Sequence, residues 1–287
     1  MELESSKFTY NYVIVTNGEP LPAEAKSTLL HLGRTGRLLK HEHTDDPLSP
    51  PEAREIGASI ADGQLLFFFD NHCVLAPRYF ERAALDMNQL GIDVLHSTTR
   101  FYAGDNTHYH YRLKLDYNFW AESATAPQND YKPYKIAAGG HGGFVVRKSV
   151  WEELGGYGPS SLLRGYGGEE LIFDLKAWLY GKTVYLDPKL VHFHYAGDRG
   201  YSRHFTDEYY VNMLVSANVI GGETWMFKVL DSFVRGGHMR LHPQVSMYDI
   251  LVSAYERSAE YARQVQSRSR CSLDELLQEF RRNSVAM

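Results

Sequence analysis

The plainest hydrophobic signal in the chain is Leu65-Leu66-Phe67-Phe68-Phe69, five apolar residues in a row that stop on Asp70-Asn71-His72. A short continuous run of this kind predicts a strand buried in a parallel sheet. Upstream, residues 10–18 predict a first strand that ends in the polar turn Thr16-Asn17-Gly18, and residues 23–32 predict a helix. Residues 37–43 predict a second strand, closed by Thr44-Asp45-Asp46-Pro47. Pro50-Pro51-Glu52-Ala53 opens a helix to about residue 61, because proline suits a first turn and an acid suits its dipole. Strand, helix, strand, helix, strand is the pattern of a parallel sheet with helical crossovers. It predicts a nucleotide-binding half-domain.

Beyond His72 the pattern predicts a helix over 77–90, a strand over 91–100, and a weakly periodic aromatic and polar stretch over 102–133. Residues 136–146 carry Gly139-Gly140-His141-Gly142-Gly143, whose glycines permit close backbone approach. Further helices are predicted over 148–154 and 169–180, the latter closed by Gly181. A strand over 183–186 leads into a histidine-bearing loop. After about residue 201 the periodicity is helical over 205–220, 224–234, 247–268 and 272–280, with Ser272 and Glu275 spaced as a capping box. The predicted organisation is an α/β unit over 1–203, with a first half at about 8–100 and a second at about 101–203. A helical region follows over 204–287.

The chain is long enough to bury a core without staples, and Cys73 and Cys271 supply no disulfide framework, which favours a reducing interior. The first residues lack the basic and apolar regions of a signal peptide, and no apolar run reaches the roughly 20 residues that span a bilayer. These features predict a soluble, cytoplasmic protein without a membrane anchor. A net charge of -5 counts against a general attraction to nucleic acid, although Arg263, Arg268, Arg270, Arg281 and Arg282 leave a local DNA contact open. The 20 tyrosines, 14 phenylalanines and 4 tryptophans are enough to fill a core and still leave stacking surfaces for sugars or bases.

Three segments carry chemistry. Asp70 and His72, one residue apart at a predicted strand end, could hold one divalent cation together, since ligands collect at the carboxyl ends of such strands; the equal alternative is that Asp70 starts a turn and His72 is an ordinary surface histidine. In Arg164-Gly165-Tyr166-Gly167-Gly168-Glu169-Glu170, a glycine loop delivers two acids to a helix start. The helix dipole accounts for one acid, but not for the glycines or for the upstream Gly155-Gly156-Tyr157. His192-Phe193-His194-Tyr195 is a second spaced histidine pair after a strand. His108 and His110 alternate with aromatics and fit a strand or a binding groove better than a metal site. His141 suits a turn or a ligand contact about equally.

Taken in order, these segments resemble glycosyltransferases of the GT-A fold, especially the family 2-like group and the polypeptide N-acetylgalactosaminyltransferases. The resemblance covers roughly residues 8–201. It implies a Rossmann-like α/β fold with a mostly parallel central sheet, here with a C-terminal helical appendage. It implies a nucleoside diphosphate sugar donor, with UDP favoured, and a divalent metal, manganese before magnesium. Asp70-Asn71-His72 looks like the Asp-x-His variant of the metal motif, and the family's third ligand is a late histidine. Spacing from Pro188 favours His194, with His192 as the substitute. The resemblance sets Thr16, Asn17 and Asp45 or Asp46 against the base and ribose, Arg54 near the donor, and Gly140 in the donor site. For Thr16 and Asn17 simple turn chemistry is an equal reading. For Arg54 the alternative is a solvated helix face.

Glu169 and Glu170 match the family's acidic pair. In inverting members the second acid deprotonates the acceptor hydroxyl. The N-acetylgalactosaminyltransferases usually carry Asn there, and inverting members usually Asp, so Glu170 leans towards inversion while departing from both. Glu169 would then meet sugar or acceptor hydroxyls. The expected activity is metal-dependent transfer of a sugar to the hydroxyl of a protein, a glycan or a hydroxymethylated DNA base. A nucleotidyltransferase is the alternative enzyme, though Thr16-Asn17-Gly18-Glu19-Pro20 is a poor phosphate loop. A non-catalytic sugar-nucleotide-binding module is the third reading.

Overall fold

A computed structural model describes residues 8–101, 108–114, 120–124, 132–140, 142–195, 207–236 and 241–282. The first half contains β1 (Tyr12–Asn17), α1 (Ala23–Arg34), β2 (Leu38–Thr44), α2 (Pro50–Ile60), β3 (Leu65–Phe69), β4 (Cys73–Leu75), α3 (Tyr79–Leu90) and β5 (Val94–Phe101). Next come β6 (His108–Lys114), β7 (Trp120–Ala124), β8 (Tyr134–Lys135), β9 (Gly143–Arg147), α4 (Lys148–Leu154), α5 (Glu169–Leu179) and β10 (Val184–His194). The C-terminal helices are α6 (Asp207–Gly221), α7 (Glu223–Arg235), α8 (Met247–Arg268) and α9 (Leu273–Arg282). Among the described residues no helix is long and apolar enough to cross a membrane.

β1 and β2 pair in parallel as a two-stranded sheet, with Thr16 opposite His43 and Asn17 opposite Thr44. The larger sheet runs β3-β9-β5-β10-β4, with β6 and β7 extending from β5 and β8 beside β10. β5 and β10 are parallel. β9 is antiparallel to both β3 and β5, and β4 is antiparallel to β10. β3, β5 and β10 therefore point the same way and end at one edge. The expected parallel framework holds for these strands and for β1–β2, but the whole sheet is mixed. The reason lies at Gly143, which faces Phe69: β9 enters from the carboxyl edge and runs back between β3 and β5.

Alternation along the strands divides the core. Leu66, Phe68, Phe144 and Val146 turn towards α4 and α5, where Phe68 stacks on Phe144 at 4.9 Å and meets Trp151 at 4.8 Å. Leu95 and Val145 turn the other way, onto Tyr79, Ala83 and Met87 of α3, with Phe67 and Phe69 packed alongside. Each such side chain contributes about 1.5–3 kcal/mol through burial. Ser49 and Glu52 form a capping box at the start of α2. The expected pairing of Ser272 with Glu275 closes α9 in the same reciprocal way.

The C-terminal region shares this core. Every residue from Tyr209 to Ile220 of α6 is buried, which marks it as a core helix. Its apolar side chains are continuous with those of α5, α8 and α9. Two of its polar side chains face the glycine loop, while Asn218 donates to Ser258 Oγ of α8 at 2.7 Å. Asn212 accepts from the Arg164 amide at 3.2 Å and donates to the carbonyls of Arg164 and Tyr166, while Ser216 donates to the Gly168 carbonyl at 3.0 Å.

Candidate active site

The carboxyl ends of β3 and β10 meet through β4. The Cys73 amide donates to the Asp70 carbonyl at 3.1 Å, so Asp70-Asn71-His72-Cys73 is a tight turn. β4 then pairs with the end of β10, His194 opposite Cys73. Asp70 and His72 thus converge across a turn, not by alternation along an extended strand. The Gly142 carbonyl accepts from the Asp70 amide at 3.2 Å. A side chain at Gly142 would meet Asp70, His192 and His194.

Three ligand atoms converge here. His72 Nε2 lies 2.7 Å from His194 Nε2, and Asp70 Oδ2 lies 3.7 Å from the first and 3.4 Å from the second. Asp70, His72 and His194 form a group that could hold a metal ion. Asn71 Oδ1 accepts from His72 Nδ1 at 2.8 Å, which leaves the Nε2 lone pair facing the group. Arg54 Nη2 donates to Asp70 Oδ1 at 3.0 Å. Burial alone would raise the Asp70 carboxyl, but the His194 hydrogen bond and the charges of Arg54, His72 and His194 hold it down to about 2.

His192 lies beside the group but outside it. It is fully buried. Ser97 Oγ donates to the Gly143 carbonyl at 2.8 Å, so His192 Nδ1–H is free to donate to Ser97 Oγ at 2.7 Å. Its Nε2 then accepts from Thr99 Oγ1 at 3.2 Å. Both ring nitrogens are occupied, and burial first, then the His194 charge, pushes the imidazole down to about 4.

The acid pair opens α5 behind Gly167 and Gly168, both left-handed. A side chain at Gly167 would strike the Tyr209 ring, and one at Gly168 the Ser216 hydroxyl and the Asn212 carbonyl. Glu169 is buried, and its Oε2 accepts from the Gly167 amide at 2.9 Å. Burial raises its carboxyl. Glu170 is half-buried. Burial first, then the charge of Glu169, pushes its carboxyl up to about 8. Arg54 faces both acids as well as Asp70 and Tyr157, and burial against it is outweighed by these partners, so it is held firmly protonated.

Thr16 Oγ1 sits between His41 Nε2 at 2.8 Å and His43 Nδ1 at 2.9 Å. Asn17, Asp45 and Asp46 are exposed beside it. Arg54 leaves this cluster and pairs with Asp70. The Gly140 carbonyl lies 3.3 Å from His96 Nδ1. His96 and Asp174, which sequence reasoning passed over, form a buried pair at 3.0 Å, and Asp174 also accepts from the Gly139 amide at 2.8 Å. Their signal was Gly139 itself, where a Cβ would overlap the His96 ring. His141 and the side chains of His108 and His110 lie outside the described residues.

The sequence matches Glycosyl transferase family 2 over residues 13–155. Probable N-acetylgalactosaminyltransferase 8 of Caenorhabditis elegans is 26% identical over 148 residues, 47% of this chain and 34% of that protein. Inactive polypeptide N-acetylgalactosaminyltransferase-like protein 5 of Macaca fascicularis is 28% identical over 148 residues, 47% of this chain and 33% of that protein. The match thus spans about a third of these relatives' length. A crystal structure of GalNAc-T7 with UDP, GalNAc and Mn2+ superposes with a TM-score of 0.65 at 17% identity, covering 91% of this chain and 51% of that one. The S. aureus TarS 1-349 complex with UDP-GlcNAc gives 0.52 at 12% identity, covering 96% of this chain and 92% of that one. Over residues 13–155 the chain carries a family 2 glycosyltransferase domain, and its fold is the GT-A fold that the N-acetylgalactosaminyltransferase GalNAc-T7 and TarS also show.

Proposed function

We propose that the protein moves a sugar from a UDP donor to an acceptor hydroxyl, with a divalent cation held by Asp70, His72 and His194. The observation that carries this reading is the convergence of Asp70 Oδ2 and two imidazole nitrogens within 2.7–3.7 Å of one another. Ligands about 2.1 Å from one ion stand about 3 Å apart when adjacent, so the three atoms fit one cation. Two imidazoles favour manganese or zinc over magnesium. When bound, the cation would neutralise the diphosphate and stabilise the departing UDP.

The chain's own groups divide the remaining work. Arg54 occupies Asp70 Oδ1 and turns Oδ2 to the histidines. Thr16, Asn17, Asp45 and Asp46 are assigned to the base and ribose, and the Gly140 backbone to the donor sugar. Glu170 takes the proton from the acceptor hydroxyl on the face opposite the diphosphate, which makes the transfer inverting. Glu169, fixed by the Gly167 amide, orients sugar or acceptor hydroxyls. An intact acid pair beside an intact ligand group weighs against a non-catalytic binding module.

The test is thermal denaturation with a panel of nucleotide sugars, with and without Mn2+. The expected result is stabilisation by one UDP-sugar that requires the cation. Equal stabilisation in excess chelator would overturn the metal reading. Preference for a nucleoside triphosphate would favour nucleotidyl transfer.

A further inference from the structure

The geometry of Gly155-Gly156-Tyr157 is tightly specified. Gly155 and Gly156 are both left-handed, at φ +66° and +51°, and a side chain at Gly156 would overlap the Glu55 carboxylate. That carboxylate accepts from the Tyr157 amide, and it faces the charge of Lys176. Lys176, on α5, has no exposed surface. Its ammonium donates to the Gly156 carbonyl at 2.6 Å and to the Tyr261 hydroxyl of α8 at 2.8 Å. A buried ammonium is costly unless its partners are fixed. Here the partners fix a loop.

The loop presents Tyr157, which is buried with its ring edge-on to Trp151 and against Phe173. Its hydroxyl hydrogen-bonds the Arg54 guanidinium, and Arg54 in turn holds Asp70 Oδ1. An unbroken series of contacts therefore runs from Tyr261 of α8 through Lys176, the Gly156-Tyr157 loop and Arg54 to the carboxylate of the ligand group.

We propose that Glu55, Lys176 and Tyr157 are positioning residues for the cation site. They lock Tyr157 so that its hydroxyl orients Arg54, and Arg54 then commits one Asp70 oxygen and frees the other for the cation. The proposal rests on the reading of Asp70, His72 and His194 as a cation site. It makes cation affinity depend on residues that never touch the ion. Partners that orient metal ligands are worth about 10–100-fold in affinity, and a group one contact further out belongs at the lower end.

The experiment is Mn2+ binding in the presence of UDP, read from the loss of the free Mn2+ electron paramagnetic resonance signal, with a melting temperature for each full-length variant. Wild type should bind, and Asp70→Ala should not. Tyr157→Phe, which keeps the ring in place, should bind about tenfold more weakly. Lys176→Met should weaken binding in the same direction, because the Gly156 carbonyl loses its buried donor and the loop that presents Tyr157 is released. A merely structural role would lower the melting temperature and leave the affinity of the folded protein unchanged. Folded Tyr157→Phe with wild-type affinity overturns the proposal while the cation site stands. No Mn2+ binding by wild type overturns both. If Lys176→Met fails to fold, Tyr157→Phe still decides.

Discussion

His72 Nε2 and His194 Nε2 stand 2.7 Å apart across 122 residues of sequence. The antiparallel pairing of β4 with β10 produces the contact, because it begins one residue after His72 and ends on His194. Two imidazole nitrogens this close cannot both direct lone pairs at each other without a proton or a cation between them. Asp70 Oδ2 supplies the negative charge that either would need.

The two late histidines should separate by experiment. His194→Ala is expected to remove the Mn2+-dependent part of UDP-sugar stabilisation while the ligand-free melting temperature stays close to wild type. His192→Ala removes a fully buried ring and the hydrogen bonds it makes with Ser97 and Thr99, at a cost of about 2–4 kcal/mol. Its melting temperature should fall, yet the folded protein should still respond to Mn2+. Thermal denaturation with UDP-sugar, with and without Mn2+, reads both effects. The reverse outcome would move the ligand role to His192.

Glu170→Gln should lower turnover by about 10²–10⁴-fold, the usual loss when a positioned base is removed, with little change in UDP affinity. Burial and the neighbouring Glu169 charge raise the Glu170 carboxyl to about 8. The base is free only once that proton leaves. In wild type kcat/KM should therefore rise with pH well above the ordinary carboxyl range, and Glu170→Gln should abolish that rise. A product that keeps the donor's anomeric configuration would reject the base role.

A third expectation concerns stability alone. Asp86 lies beside the buried Asp187, and Arg82 reaches both, at 3.6 and 2.7 Å. Burial first, then the Asp187 hydrogen bond and charge, raises Asp86 from 3.8 to about 6. The folded state holds that proton over a window where the unfolded chain has released it. The contribution is fully present below about pH 4 and is lost as pH rises through about 6. Asp86→Asn keeps the shape and removes the titration. Its stability curve from urea denaturation should be flatter between pH 4 and 7, and it should gain on wild type by on the order of 1 kcal/mol at pH 7. Parallel curves for the two proteins would contradict this.

The glycine at 156 gives a fourth. Gly156→Ala combines a left-handed backbone with overlap on the Glu55 carboxylate. It should lose about 1–3 kcal/mol, whereas Gly165→Ala, left-handed but with open space around it, should lose less. Paired chemical denaturation curves compare them directly.

Much of the fold was legible where local period and packing agree. α4 and α8 begin and end where their patterns predict, over 148–154 and 247–268. β10 shows the opposite case. Pro188 suggests a strand that stops at 186, yet β10 continues to His194. The register shift between Asp187 and Val191 absorbs the missing amide. The direction of β9 has no local signature, because a buried strand reads alike in either sense. Asp70, His72 and His194 were legible as residue types at strand ends, although the turn that joins the first two was not. Glu55, Lys176, His96 and Asp174 were not legible. Their meaning depends on partners that are distant in sequence, and only the glycines that make room for them left a local trace.

The packing of α6 beneath the glycine loop has a practical consequence for dissecting the protein. A chain cut after residue 203 would retain Asp70, His72 and His194 but lose Asn212 and Ser216, which grip the carbonyls of Arg164, Tyr166 and Gly168. On the proposed roles, donor capture and acceptor activation would therefore be anchored by different stretches of polypeptide. Trimming from the C-terminus should erode the second before the first, so a fragment that still recognises the nucleotide is no guide to whether it can complete a transfer.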